Sequence, residues 1–174
     1  MRRETEPPEE FFSTSEAETE SFAGRLAHEL DSEDVVYLIG DLGAGKTVFA
    51  RGLAAGLGAV AREVASPTFA LLHEYAAPGG AIVMRHLDLY RLADRAEDLE
   101  VLGLPAAVAG APIAVEWPGA AIRAVLAPTR EVEIDQVDRE NRRIRVRRRS
   151  REVTMTAEMP NEPGRAAANL RKRR

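Results

Sequence analysis

The chain of 174 residues is 45% hydrophobic and 30% charged, which is enough apolar content for one good core and too little length for a second full domain. It has no cysteine, so a disulfide framework and thiolate metal sites are excluded. The net charge of −4 hides an asymmetry: residues 1 to 141 hold 12 Lys+Arg against 25 Asp+Glu, whereas residues 142 to 174 hold the other 12 basic groups against 3 acids.

The first ten residues, Met1 to Glu10, form an acidic, proline-containing lead that is expected to be disordered and has no apolar signal region, and no uncharged apolar run approaches membrane-spanning length. A cytoplasmic protein that makes no membrane contact is the expectation. Phe11-Phe12-Ser13 is a short apolar patch. Ser15-x-x-Glu18 then has the form of a capping box, and Phe22, Leu26 and Leu30 recur at spacing four, so a helix is predicted through about Leu30. Asp31 to Asp34 ends it. Val35 to Ile39 is continuously apolar, as in a central strand covered on both faces.

Gly40-Asp41-Leu42-Gly43-Ala44-Gly45-Lys46-Thr47 follows at once and fits G-x-x-x-x-G-K-[ST] at every fixed position. Glycines at these positions let backbone N–H groups turn inward around phosphate oxygens. Lys46 brings a positive charge to the β and γ phosphates, and Thr47 can offer a hydroxyl to Mg²⁺. A helix starting at Lys46 and running to about Leu57 aims its positive dipole end at the same anion. A nucleoside triphosphate is the ligand this arrangement predicts.

Ser66-Pro67-Thr68-Phe69 reads as a loop, because Pro67 lacks an N–H and disfavours helix before it. Ala70 to Ala76 and Ile82 to Asp88 read as strands around the turn Pro78-Gly79-Gly80, and Asp94 to Leu102 reads as a helix. Ile113 to Val115 is another buried strand, leading into Glu116-Trp117-Pro118. Arg130 to Asp135 and Arg142 to Arg147 alternate with period two about a polar turn, as in an antiparallel hairpin. From Ser150 the chain is polar, with Pro160, Pro163 and Gly164, and disorder is expected over 150–174. This basic end reads either as a solvated tail or as a contact for an anionic surface, whether nucleic acid, an acidic partner or the acidic body itself.

Asp88 and Glu116 each close an apolar strand. In an open α/β sheet ligands sit beyond the carboxyl ends of strands, so both can converge on the γ-phosphate beside Thr47. A lone acid there can equally be a turn or cap residue. Trp117 is either a core aromatic or a nucleotide-facing one, and His28 and His73 read as surface or hydrogen-bonded histidines. His86, two residues before Asp88 on the same strand face, is read as a hydrogen-bonded structural histidine.

The phosphate loop, Ser66-Pro67-Thr68-Phe69, His86-Leu87-Asp88-Leu89-Tyr90-Arg91-Leu92 and Val115-Glu116-Trp117-Pro118 occur in the order and approximate spacing of the TsaE family, also called YjeE, and the chain resembles that family over about 11–136. The resemblance implies a single P-loop α/β domain at about 11–149, with a mixed β-sheet flanked by helices. It also implies an ATPase, using ATP and Mg²⁺, needed for N6-threonylcarbamoyladenosine at position 37 of tRNAs that read codons beginning with A. TsaB and TsaD proteins are the implied partners, with tRNA reached indirectly through the complex.

By the same resemblance, Gly40 to Val48 cradle the phosphates, with Lys46 as a catalytic charge. Thr47, Asp88 and Glu116 serve the metal, with both acids also catalytic. Trp117 lies beside the nucleotide, and Thr68 is the polar residue of a switch loop that responds to the γ-phosphate. Val48 and Gly119 depart from the family pattern, which often has a second Thr and an acid there. Two other classes share the loop. A small-molecule kinase needs an acceptor pocket and a basic lid, which no arginine-rich insert between Asp88 and Glu116 supplies. A non-catalytic nucleotide switch binds without turnover, and the lack of an N-K-x-D-like element argues against GTP.

Overall fold

A computed structural model describes residues 7–60, 63–65, 72–90 and 110–149. The expected helix over 94–102, the loop over 66–69 with Thr68, the first two residues of the strand expected from Ala70, and the tail over 150–174 lie outside the described residues.

Eight strands form one mixed sheet: β1 (Glu9–Ser13), β2 (Val35–Ile39), β3 (Glu63–Ala65), β4 (Leu72–Ala76), β5 (Ile82–Asp88), β6 (Ile113–Glu116), β7 (Arg130–Gln136) and β8 (Arg142–Arg148), in the order β1-β8-β7-β2-β6-β5-β4-β3. Three described helices accompany them: α1 (Glu16–Ala27), α2 (Lys46–Gly56) and α3 (Ala120–Val125). β2 pairs in parallel with β6 and β7, and β6 with β5; the outer pairings are antiparallel. The expected α/β class with a mixed sheet flanked by helices is therefore what forms.

β2 is central because both its faces are apolar. Val36 and Leu38 join Phe22, Leu26, Phe49, Leu53, Val132 and Ile144 under α1 and α2. Val35 and Tyr37 join Leu87, Ile113, Val115 and Ile122 on the other face, where the Tyr37 phenol donates to the Leu126 carbonyl. Burying each large apolar side chain is worth about 1.5–3 kcal/mol, so a polar residue in β2 has no face on which to sit.

Two readings are corrected in detail. Phe11-Phe12 is no isolated patch: from Glu9 the chain is edge strand β1 on β8, which takes Glu9 and Glu10 out of the expected disordered lead, and Phe11 stacks on Phe22 at 4.5 Å. The capping box is also displaced by one residue. Ser15 Oγ accepts from Glu18 N at 3.2 Å as expected, but the Glu18 carboxylate reaches back to Thr14 N at 2.7 Å.

The basic end splits as well. Arg142 to Arg149 belong to β8 and its end, and they are held by the acidic body. Arg143 and Arg145 meet Asp135, Arg147 meets Glu133, Arg149 meets Glu131, and Arg148 meets Glu29. Five of the twelve basic residues counted after residue 141 are therefore part of the sheet, and Arg149 follows directly after it.

Gly56, the last residue of α2, has a packing role. A Cβ on Gly56 would strike the Gly24 carbonyl oxygen and lie 2.8 Å from Ala27 Cβ, and one on Gly52 would lie 2.5 Å from the Glu20 carbonyl oxygen. The α1 and α2 backbones touch along this seam. Ala in an exposed helix stabilises by about 1 kcal/mol relative to Gly, whereas overpacking costs about 1–3 kcal/mol. Gly52→Ala is therefore expected to lower the urea unfolding free energy, and an increase would show that the helices are not in backbone contact.

Candidate functional site

The parallel registers bring three strand ends to one level. Leu38 of β2 lies opposite Glu116 of β6, and Glu116 opposite Asp88 of β5. Just beyond Leu38 the chain leaves the sheet as the phosphate loop, and α2 begins at Lys46. Gly45 precedes it at φ 108° and offers no side-chain cap, so nothing from that residue covers the first N–H groups of α2. A cleft of about 750 Å³ opens here. Its walls include Gly43, Gly45, Lys46, Thr47, Asp88 and Glu116.

Lys46 is only 4% exposed, and its Nζ donates to the Gly40 and Asp41 carbonyls at 2.8 Å each. The same ammonium sits 3.8 Å from the centre of the Trp117 ring. Such a contact is electrostatically favourable, more so away from water. Burial holds the Lys46 pKa below its usual value of 10.5, against the opposing pull of Glu116, Asp88 and Asp41.

Glu116 is 3% exposed, and its Oε1 accepts from Thr47 Oγ1 at 2.8 Å and meets His86 Nε2 at 2.9 Å. Burial pushes its pKa up, but the hydrogen bonds from His86 and Thr47, with the charges of His86 and Lys46, outweigh this and leave it below 4.5. It is an ionised carboxylate in a dry setting. Asp88 is half-buried, with Oδ1 accepting from Tyr90 N at 3.0 Å, which is the turn-residue role weighed for it; it also lines the cleft. Trp117 follows Glu116 at φ 57°, a left-handed conformation unusual for a bulky residue, and its ring lies 5.0 Å from that of Tyr90.

Most residues singled out from sequence thus meet at one cleft. Val48 lines it, and exposed Leu42 stands at its mouth. Asp41 contributes its carbonyl to Lys46, while Ala44 is buried in the loop. Thr68 lies outside the described residues. His28 caps the end of α1, and His73 lies beside His86 on β4.

Four residues not among the expected site residues also contribute. Arg142 Nε donates to the Ala44 carbonyl at 3.0 Å, and its NH1 donates to carbonyls of the β7–β8 turn, so this turn is tied to the phosphate loop. Thr14 and Ser15, at the entry to α1, line the far wall. Their spacing from the loop in sequence gives no signal, because only the order of the sheet places them there. The His86 contact with Glu116 spans 30 residues, and its one trace was the shared strand face with Asp88.

The arrangement suits Mg²⁺ in its donor chemistry. Thr47, Asp88 and Glu116 offer oxygens only, and magnesium takes one or two carboxylates together with water and substrate phosphates. Among the described residues no three His, Asp or Glu side chains gather into a metal-binding group, so no cage made of protein ligands alone is formed here. No described helix is long and apolar enough to cross a membrane.

The family described as "Threonylcarbamoyl adenosine biosynthesis protein TsaE" matches residues 13–147. A protein of Streptomyces coelicolor described as "tRNA threonylcarbamoyladenosine biosynthesis protein TsaE" is 37% identical over 93 residues, which are 53% of this chain and 62% of that protein. Proteins with the same description are 33% identical in Mycobacterium leprae, over 69% of this chain and 78% of the relative, and 36% identical in Rickettsia conorii, over 74% and 71%. The crystal structure of Bacillus subtilis YdiB superposes with a TM-score of 0.63 at 28% identity, covering 84% of this chain and 88% of that one. With the family match spanning most of its length, the chain belongs to the TsaE family.

Proposed function

We propose that this protein is a magnesium-dependent ATP hydrolase in the biosynthesis of N6-threonylcarbamoyladenosine at position 37 of tRNA, acting with TsaB- and TsaD-like proteins. The relatives' descriptions support the pathway. The observation that carries the catalytic reading is the meeting of Lys46, Thr47 and ionised Glu116 beside the phosphate loop, with Thr47 Oγ1 2.8 Å from Glu116 Oε1.

In this reading the open N–H groups at the start of α2 hold phosphate oxygens, and Lys46 leaves the Gly40 and Asp41 carbonyls to meet the β and γ phosphates. Its ammonium is already stripped of much water, which strengthens its pull on an anion. Thr47 and Asp88 would hold magnesium, with Glu116 directly or through water. When bound, the metal neutralises charge that builds on the transferring phosphoryl group. Glu116, ionised and fixed at Oε1, can orient an attacking water. Trp117 covers the lysine and keeps bulk water from that side. A kinase reading gains no support, because no feature of the described cleft marks an acceptor.

Binding and chemistry separate by substitution. Lys46→Ala removes a charged hydrogen-bond donor worth about 1.5–3 kcal/mol, so ATP affinity by calorimetry should fall about 10- to 100-fold. Glu116→Gln should retain nucleotide while phosphate release falls about 100-fold or more, and Asp88→Asn should shift the magnesium titration to higher concentration. Normal release by the Gln variant would reduce Glu116 to a strand-end residue.

The pH dependence of stability follows from the depressed Glu116 pKa. Ionisation favours the folded state, so its contribution is complete above about 4.5 and is lost as pH falls through the lower folded value. Wild type should therefore lose stability relative to Glu116→Gln only below about pH 4.5 in urea titrations. A difference that changes between pH 5 and 7 would mean that this carboxyl is not held ionised.

Partners should act on the chemistry as well. The body is acidic, which repels a phosphate backbone, and free protein is expected to hydrolyse ATP slowly. Docking to the partner complex is expected to order Ser66 to Phe69, with Thr68, against the γ-phosphate and to raise turnover. By linkage, ATP must then tighten partner binding by the same factor with which partners tighten ATP. Turnover measured against partner concentration, together with partner affinity in ATP analogue and in ADP, checks both. A rate indifferent to saturating partners would exclude the mechanism.

A further inference from the structure

We infer that His86 is a positioning residue for hydrolysis: its Nε2–H fixes Glu116 Oε1 and leaves Oε2 as the oxygen that serves the water or the metal. The inference rests on the ATPase reading above and adds a residue to it.

Two donors converge on one atom. Thr47 Oγ1 lies 2.8 Å and His86 Nε2 2.9 Å from Glu116 Oε1. Among the described residues, Oε2 has no hydrogen-bond partner. A glutamate has three side-chain torsions, the last of them broad, so a carboxylate held only by Thr47 would still sweep its second oxygen through the cleft. A Thr47 hydroxyl that also ligates a metal would move with that metal, whereas His86 holds Oε1 from outside the phosphate loop.

His86 can hold this place because its own ring is fixed. It is 3% exposed, between β4 and β6 in the sheet. The Tyr75 ring stacks beside it at 6.3 Å and the His73 ring lies at 6.0 Å, both from β4. An imidazole that donates from Nε2 across 30 residues ties β5 to the end of β6, where the chain turns into Trp117. Catalysis needs such support, because a reacting group displaced by about 1 Å can cost about 100-fold in rate.

The test uses the full chain with two variants at the position. His86→Phe keeps a ring in the stack without a donor, and His86→Gln restores a donor at similar reach. Wild type, each variant, Glu116→Gln and the double variant with His86→Phe are assayed for ATP turnover, and nucleotide affinity is measured by calorimetry with ATP and with ADP. The expected result for His86→Phe is a kcat lowered 10- to 100-fold with ATP and ADP affinities within about threefold. Gln should recover most of the rate, and His86→Phe should cost nothing further in the Glu116→Gln background. An unchanged kcat in His86→Phe, a loss additive with Glu116→Gln, or a loss that Gln does not rescue would overturn the assignment.

A readout free of turnover separates this inference from the ATPase reading. Long-range proton–nitrogen NMR of the wild type should show His86 carrying its proton on Nε2, with a resonance that moves in Glu116→Gln. A proton on Nδ1 alone would overturn the anchoring whatever the turnover. A wild type without turnover but with the Nε2 proton coupled to Glu116 would remove the ATPase reading and leave the anchoring in place.

Discussion

Parallel pairing of β5, β6 and β2 is the constraint on which the cleft depends. Because these three strands run the same way in register, their carboxyl ends coincide, and whatever follows each apolar run is delivered to the same edge. After β2 comes the glycine loop, at the end of β6 comes Glu116, and at the end of β5 comes Asp88. A slip of one residue in β6 would turn Glu116 to the opposite face. The apolar packing of Val115 and Ile113 on one side and Ala114 on the other resists that slip. The core is therefore also the device that aims the carboxylate.

That edge collects charges away from water. Lys46 and Glu116 are each almost fully buried, and burying either alone would cost several kcal/mol. They stand because each is hydrogen-bonded: the ammonium by two loop carbonyls, the carboxylate by Thr47 and His86. The downward shift of the Lys46 pKa shows that the loop does not fully replace the lost water. A polyanion that brings oxygen acceptors would complete the coordination, so the same desolvation that costs stability favours phosphate. The left-handed backbone at Trp117 belongs to this trade. A non-glycine residue there costs about 1–3 kcal/mol, and in return its ring face lies on the ammonium.

What could be read in advance follows the range of the signal. The phosphate loop, β2 and the acids at the ends of β5 and β6 are written in contiguous residues, where glycine spacing and apolar runs report directly on local backbone. β1 escaped notice because Glu9-Glu10-Phe11-Phe12-Ser13 alternates too briefly at an edge, where its pairing is decided by β8 more than a hundred residues away. Gly52 and Gly56 look like helix breakers until α1 is laid across them. Arg142 is one arginine in a run of them, and only the position of β8 relative to the loop separates it from its neighbours. Thr68 and the segment expected to be helical after Asp94 belong to residues that the structure does not describe.

The charge asymmetry acquires a different meaning once β8 is in place. An arginine-rich end suggests an arm that reaches for nucleic acid, yet Arg143, Arg145, Arg147 and Arg149 stand opposite Glu131, Glu133 and Asp135, and Arg148 reaches Glu29. Alternation along paired strands sets these groups on one face, where opposite charges support each other and the exposed pairs are individually worth about 0–1 kcal/mol. Counted through Arg149, the chain has 18 basic residues against 25 acids, and the remainder holds 6 against 3. A phosphate backbone approaching residues 1–149 therefore meets net negative charge. Attraction for such a backbone would fall to residues 150–174, which hold six basic residues against three acids. Over residues 1–149 the electrostatics therefore oppose a phosphate backbone, because Arg143, Arg147 and Arg149 are held by the acids beside them.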